Sequence, residues 1–185
     1  MKKVCALLCL LMICQPVLAA DFRNGYFDFN KMDLVTNGEV VYAFDFGTET
    51  SPLKSGYIRV TDKFLFDPEV SFGWLRTDGL FAGERTTILA EQEKDYVGGR
   101  GEGIFRVLLG RGNYQLTFLF KDLGSRSGIN LKINFEPYLE NWFLPAMRTK
   151  VLVADFAAEQ GVLEIRISSA KDPWILNALV ITKTD

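Results

Sequence analysis

The sequence predicts an all-β protein: a two-sheet antiparallel β-sandwich or jelly roll with little or no helix beyond its first twenty residues. Two observations carry that expectation. Apolar and polar residues alternate with period two as the dominant pattern, and no sustained helical period appears; Asp155 to Gln160 offers one turn of helix at most. Short strands without helices can bury their apolar faces only sheet against sheet.

The N-terminus is expected to be removed. Lys2 and Lys3 precede an apolar run from Val4 to Cys14, and Pro16-Val17-Leu18-Ala19-Ala20 supplies small residues for a signal peptidase. The run is too short for a permanent membrane span. Cleavage after Ala19, or after Ala20, leaves a signal peptide at 1–19, a lead-in at 20–39 and one β-sandwich domain at 40–185. Lipid anchoring at Cys14 is disfavoured, because Met12-Ile13 puts bulky residues ahead of it. The expected location is periplasmic or extracellular.

All three cysteines, Cys5, Cys9 and Cys14, lie inside that signal, so the exported domain has no disulfide to form and must be held by its core. About 165 residues suffice for one domain that buries about 70% of its unfolded surface. Loss of Lys2 and Lys3 takes the cations from 21 to 19 against 23 acids, a formal charge of −4, which argues against a nucleic-acid partner. The chain has no histidine, which excludes Ser-His-Asp and Cys-His catalysis and histidine-zinc sites.

Three strands are plain. In Tyr114–Lys121, Tyr114, Leu116, Phe118 and Phe120 oppose Gln115, Thr117 and Lys121. Ile129–Glu136 and Val162–Ser169 alternate in the same way, each with one face expected to be wet. Weaker strands are expected at Val40–Phe46, Gly56–Val60, Gly103–Leu109, Thr149–Phe156 and Trp174–Thr182; the last, apolar on both faces, belongs centrally in a sheet. Gly110-Arg111-Gly112-Asn113 predicts a hairpin over Gly103–Lys121. Thr61–Glu102 and Pro137–Met147 are left as long irregular segments, which are either functional loops or undetected short elements.

The segment order resembles a known family. Val41-Tyr42-Ala43-Phe44-Asp45-Phe46-Gly47-Thr48, Gly56-Tyr57-Ile58-Arg59-Val60-Thr61, Phe72-Gly73-Trp74-Leu75, Asp95-Tyr96-Val97-Gly98-Gly99 and the closing Pro173-Trp174-Ile175-Leu176-Asn177-Ala178-Leu179-Val180-Ile181 look like landmarks of galactose-binding-like β-sandwich modules. Such carbohydrate-binding-module-like domains accompany bacterial rhamnogalacturonan-active and other polysaccharide-degrading enzymes. The resemblance spans roughly Val40 to Thr182 and rests on scaffold motifs, so it implies fold more than function.

A sugar site pairs an aromatic platform with side chains that hydrogen-bond hydroxyls. Trp74, Arg76, Asp78, Arg85, Tyr96 and Arg100, with Glu84 and Asp95 nearby, have that composition, unless Trp74 is core and the charges merely solvate a loop. Tyr138 and Trp142 form a second aromatic pair that either stacks on a ligand or tucks under the sandwich. Asp45 and Asp155 are the only calcium candidates; no other cofactor is expected. Gly98-Gly99-Arg100-Gly101-Glu102-Gly103 lacks the helix and Lys-Ser/Thr pair of a phosphate loop. The resulting expectation is a non-catalytic module that binds a polysaccharide or glycoconjugate. The alternatives are an envelope assembly protein that docks another protein through aromatic loops, and a lyase or hydrolase working through Tyr, Arg and carboxylates.

Overall fold

Strand formation follows the alternation most directly at Val162–Ser169, where Leu163, Ile165 and Ile167 are buried and Arg166 and Ser168 face outward. The structure is a computed structural model that describes residues 26–28, 33–36, 38–86 and 90–184; the expected signal peptide lies outside the described residues. Within them run fifteen strands and one short helix. In chain order they are β1 (Tyr26–Asp28), β2 (Asp33–Val35), β3 (Glu39–Phe46), β4 (Ile58–Val60), β5 (Phe72–Trp74), β6 (Leu80–Glu84), α1 (Glu91–Lys94), β7 (Asp95–Gly99) and β8 (Gly103–Leu108). There follow β9 (Asn113–Phe120), β10 (Arg126–Ile133), β11 (Glu136–Leu144), β12 (Lys150–Ala157), β13 (Val162–Ser169), β14 (Trp174–Leu176) and β15 (Ala178–Lys183).

Two five-stranded sheets form the layers: a front sheet in the order β11-β10-β13-β8-β5 and a back sheet in the order β12-β9-β15-β3-β4. A three-stranded sheet, β14-β7-β6, and the β1-β2 pair complete the set. Pairing between named strands is antiparallel except for β3 with β4. Between the layers lies an aromatic slab. Phe44 and Phe72 pack with ring centroids 4.8 Å apart, Trp74 and Phe105 at 5.1 Å, and Trp74 and Trp174 at 5.9 Å. Each fully buried ring contributes about 2–3 kcal/mol, and aromatic pairing adds about 1 kcal/mol.

The architecture is the expected all-β sandwich, and the structure settles or alters several details. The predicted hairpin over Gly103–Lys121 does not form: β8 pairs with β13 and β5 in the front sheet, β9 with β12 and β15 in the back sheet. The glycines of Gly110-Arg111-Gly112 serve a crossover between layers, which needs the same tight backbone as a hairpin. The segment Pro137–Met147 is mostly strand β11, paired to β10 with register shifts that hid its alternation. The Thr61–Glu102 segment holds β5, β6, α1 and β7, each too short for a periodic pattern. Finally, β9 has no wet face: Gln115, Thr117 and Lys121 are buried with Leu119, because Leu34 of β2 and Ala90 pack on the outside of the back sheet with Leu119, Ala43, Ala178 and Val180.

The expected closing strand breaks in two at Asn177. Ahead of it β14 belongs to the three-stranded sheet, and after it β15 lies centrally in the back sheet. Asn177 is fully buried, its Oδ1 accepting from Lys121 N at 2.7 Å and its Nδ2 donating to Asp95 O at 2.7 Å. The amide thus closes two backbone groups that the strand switch leaves open. Asn177→Ala leaves both buried and unpaired, so urea unfolding should show a loss of about 2–4 kcal/mol.

Candidate functional site

The aromatic and charged residues singled out from sequence divide between those consumed by the fold and those left on its surface. Trp74 is 0% exposed; its Nε1 donates to Thr61 O at 3.0 Å while its ring packs on Phe105 and Trp174. It therefore presents no stacking face, which corrects its assignment to a ligand. Arg85 is also buried: Nη2 donates to Asp122 Oδ1 at 2.7 Å, Nη1 to Glu93 O at 3.1 Å, and the guanidinium lies 4.3 Å over the Tyr96 ring. Arg126 holds the other Asp122 oxygen. This cluster commits Arg85 to Asp122 and Glu93 inside the fold rather than to a sugar at the surface.

Tyr138 and Trp142 are half-buried along the seam where the sheet edges β11 and β12 meet. The Tyr138 hydroxyl donates to Val153 O, and Trp142 packs edge-on to Phe120 at 5.4 Å. Burial raises the Tyr138 hydroxyl above its usual range, and the nearby Asp155 charge acts in the same direction. Arg76, Asp78, Arg100 and Glu84 are exposed. The calcium candidates do not meet: Asp155 pairs across to Gln115, opposite Thr182, whereas Asp45 pairs with Ala178, opposite Leu119. Three strand spacings and four residues of rise put them about 20 Å apart, and no group of three or more potential metal-ligating acidic side chains occurs among the described residues.

Asp45 has a different neighbour, Asp95. The two are 1% and 2% exposed. Asp45 Oδ2 accepts from Lys54 N at 3.1 Å, and Asp95 Oδ2 accepts from the Ser51 hydroxyl. The remaining oxygen of each is buried without a hydrogen-bond partner among the described residues. Burial, helped by the charge of Asp95, pushes the Asp45 carboxyl from 3.8 up to about 7. Burial likewise raises Asp95 from 3.8 to about 6, against the Ser51 hydrogen bond, which favours ionisation. These acids pin the segment after β3, where a side chain at Gly47 would overlap the Asp95 carboxylate. They act on stability rather than on an accessible ligand.

The accessible chemistry is on the outer face of the front sheet. There Glu164 of β13 accepts from Arg106 Nε at 3.1 Å and from Arg166 Nη2 at 3.0 Å. Arg166 Nη1 reaches Glu102 at 3.4 Å, and Arg76 approaches Glu102 from the turn after β5 at 3.9 Å. Burial alone would raise the Glu164 carboxyl, but hydrogen bonds from the two arginines and their charges outweigh it and hold it below the usual carboxylate range. Two rings flank this ladder: the Arg106 guanidinium lies 5.4 Å from the Phe66 ring and that of Arg166 lies 4.2 Å from Phe135. Phe135 is 64% exposed and sits with Asn134 in the two-residue turn joining β10 to β11, both at positive φ (46° and 73°). Lys132 stands exposed on the same face, directly across from Arg166. Of this site only Arg76 was a sequence candidate. Strands β8 and β13 were legible, and with them the outward Arg106, Glu164 and Arg166; what was missing was that they are neighbours.

No protein-family model matches the chain, and no curated protein matches it in sequence. Solved structures do. The Bacillus subtilis protein YxiM matches with a TM-score of 0.63 at 18% identity, over 78% of this chain and 40% of that one. Bacteroides uniformis beta-glucuronidase 2 matches at 0.58 and 18%, over 78% of this chain and 18% of that one. The ANX1 ectodomain of Arabidopsis thaliana matches at 0.58 and 14%, over 80% and 42%. The shared feature is the β-sandwich. At these identities the likeness establishes fold alone, consistent with the galactose-binding-like resemblance, and the chain spans less than half the length of each neighbour.

The acid pair fixes a pH dependence. Between about pH 4 and pH 7 the folded chain retains protons on Asp45 and Asp95 that the unfolded chain has released, so stability falls as pH rises through this window. Glu164 works in the opposite sense and below it, its contribution being lost as pH falls under the usual carboxylate range. Urea denaturation at pH 5 and pH 8 should show the native chain less stable at pH 8, and Asp45→Asn should flatten the difference, at about 1.4 kcal/mol per pKa unit removed.

Proposed function

We propose that the chain is an exported, non-catalytic carbohydrate-binding β-sandwich that holds a polysaccharide or glycoconjugate on the open outer face of its front sheet. One observation carries this: the two outer faces differ. Leu34 and Ala90 cover part of the back sheet's, whereas the front sheet carries part-exposed guanidinium groups around the buried Glu164 carboxylate, flanked by two aromatic rings. Flat rings beside convergent donors and acceptors suit a pyranose, whose apolar face stacks while its hydroxyls hydrogen-bond. The amino-terminal export pattern agrees with a partner outside the cytoplasm. Two further features support the reading: the resemblance to modules of polysaccharide-degrading enzymes and the sandwich shared with a beta-glucuronidase chain. Arg76 borders the ladder through Glu102, while Tyr138 and Trp142 act as a wall of the sandwich.

A second reading, docking of another envelope protein, draws on Phe143 and Met147, which are 55% and 57% exposed on β11 and the turn after it. A glycan panel probed with the purified chain separates the two. Carbohydrate binding requires retention without product release. Phe135→Gly should weaken it about tenfold, the order lost with one stacking ring. It should cost no stability, since relief of about 1 kcal/mol of backbone strain offsets the exposed cation–π contact. Glycan binding unchanged by Phe135→Gly would remove this face as the site.

A further inference from the structure

Resting on the carbohydrate reading, we infer that the open face selects glycans bearing carboxylates, that is, uronic-acid polymers rather than neutral ones. Lys132 and Arg166 are register partners on β10 and β13. Their Cα atoms lie about 5 Å apart, a position where two like charges destabilise a sheet. Both side chains point outward, since Leu131, Ile133, Ile165 and Ile167 beside them are buried. Arg166 is partly answered by Glu102 and Glu164, but Lys132 has no ion pair among the described residues.

Around the ladder, Arg76, Arg106, Lys132 and Arg166 stand with Glu102 and Glu164, while Glu136 and Glu140 are exposed on the neighbouring β11 and make no ion pair with Lys132 among the described residues. An anion seated between Lys132 and Arg166 removes the like-charge contact. Beside it lies the exposed Phe135 ring, 4.2 Å from the same guanidinium. A carboxylate carried on a pyranose satisfies both groups at once. Its oxygens meet the Lys132 ammonium and the positive field of Arg166, whose Nη atoms already contact Glu102 and Glu164, while its sugar ring covers the phenyl face. An isolated anion would leave that ring uncovered, and a neutral sugar would leave Lys132 unanswered.

The test compares binding of the purified chain to polygalacturonate, the same polymer after methyl esterification, a neutral galactan and poly-glutamate, at low salt and in 0.5 M sodium chloride. The expected result is preference for polygalacturonate over its ester by about tenfold, the scale of one charge-assisted contact, reduced by salt. Lys132→Gln should abolish that preference and leave the melting temperature unchanged or higher, because it removes the like-charge pair. Equal binding of the ester or the galactan would overturn the inference while leaving the carbohydrate reading intact. Poly-glutamate bound as well as polygalacturonate would also overturn it, pointing to an acidic protein instead. Binding to none of the three glycans would overturn both.

Discussion

The Trp174 indole lies where β14, β7 and β8 converge, and the surrounding backbone is shaped to receive it. Side chains at Gly99 or Gly103 would run into its ring, and one at Gly98 into its carbonyl. Its Nε1 donates to Gly101 O at 2.9 Å, and its ring packs on Trp74, which reaches through Phe105 and Phe46 to the back sheet. Such an arrangement tolerates little displacement, because a packed interior is close to crystal density and a lost methylene is felt. It also explains why the closing segment cannot stay one strand. Trp174 is committed to the glycine-lined site in the three-stranded sheet, Leu179 and Ile181 are committed to the core from the back sheet, and Asn177 is the joint.

From that joint follows the inequality of the two sheets. The three-stranded sheet and the segment around Ala90 are held at one end of the sandwich, and Ala90 and Leu34 close over the back sheet. Residues of β9 that would otherwise meet water become buried, including Thr117 and Gln115. Among the described residues, the front sheet receives no such cover. Its inner residues belong to the same core, so its outer residues carry no packing duty and can be chosen for solvent or for a ligand. That division of labour places the ladder of Arg106, Glu164 and Arg166 on a face that the described residues leave free to be polar.

What the sequence disclosed, and what it concealed, divides along the range of the interactions. Val162–Ser169 was legible to the residue, because one buried face imposes strict alternation. Lys121 looked like a solvent residue, since nothing local announces that its amine will end on Met147 O and Thr149 Oγ1. Arg85 and Trp74 had the composition of a sugar site, but composition does not distinguish an arginine that offers its donors from one whose donors are taken by Asp122 and Glu93. The Gly110 turn was correctly placed and wrongly interpreted, because its chemistry permits a hairpin and a layer crossing alike. The site itself was hidden for the opposite reason: Arg106, Lys132, Glu164 and Arg166 are far apart in the chain and ordinary one by one. Only strand order makes them a surface.

Phe135 occupies its turn against local backbone preference. A two-residue turn with both positions at positive φ is most cheaply made by Asn followed by Gly. Asn134 obeys that rule, its Oδ1 also accepting from Glu164 N at 2.6 Å and its Nδ2 donating to Val162 O at 3.0 Å. Phe135 breaks it, since a branched ring at φ 73° costs roughly 1 kcal/mol where glycine costs nothing. The core does not recover that cost, because most of the ring is in water. Its contact with the Arg166 guanidinium is worth at most a similar amount, and a glycine would have left that guanidinium in its carboxylate pairs regardless. The fold is therefore indifferent to the ring, or slightly worse for it. An exposed aromatic set against local preference, beside a cation pair set against sheet electrostatics, is the surface on which the proposed carbohydrate contact rests.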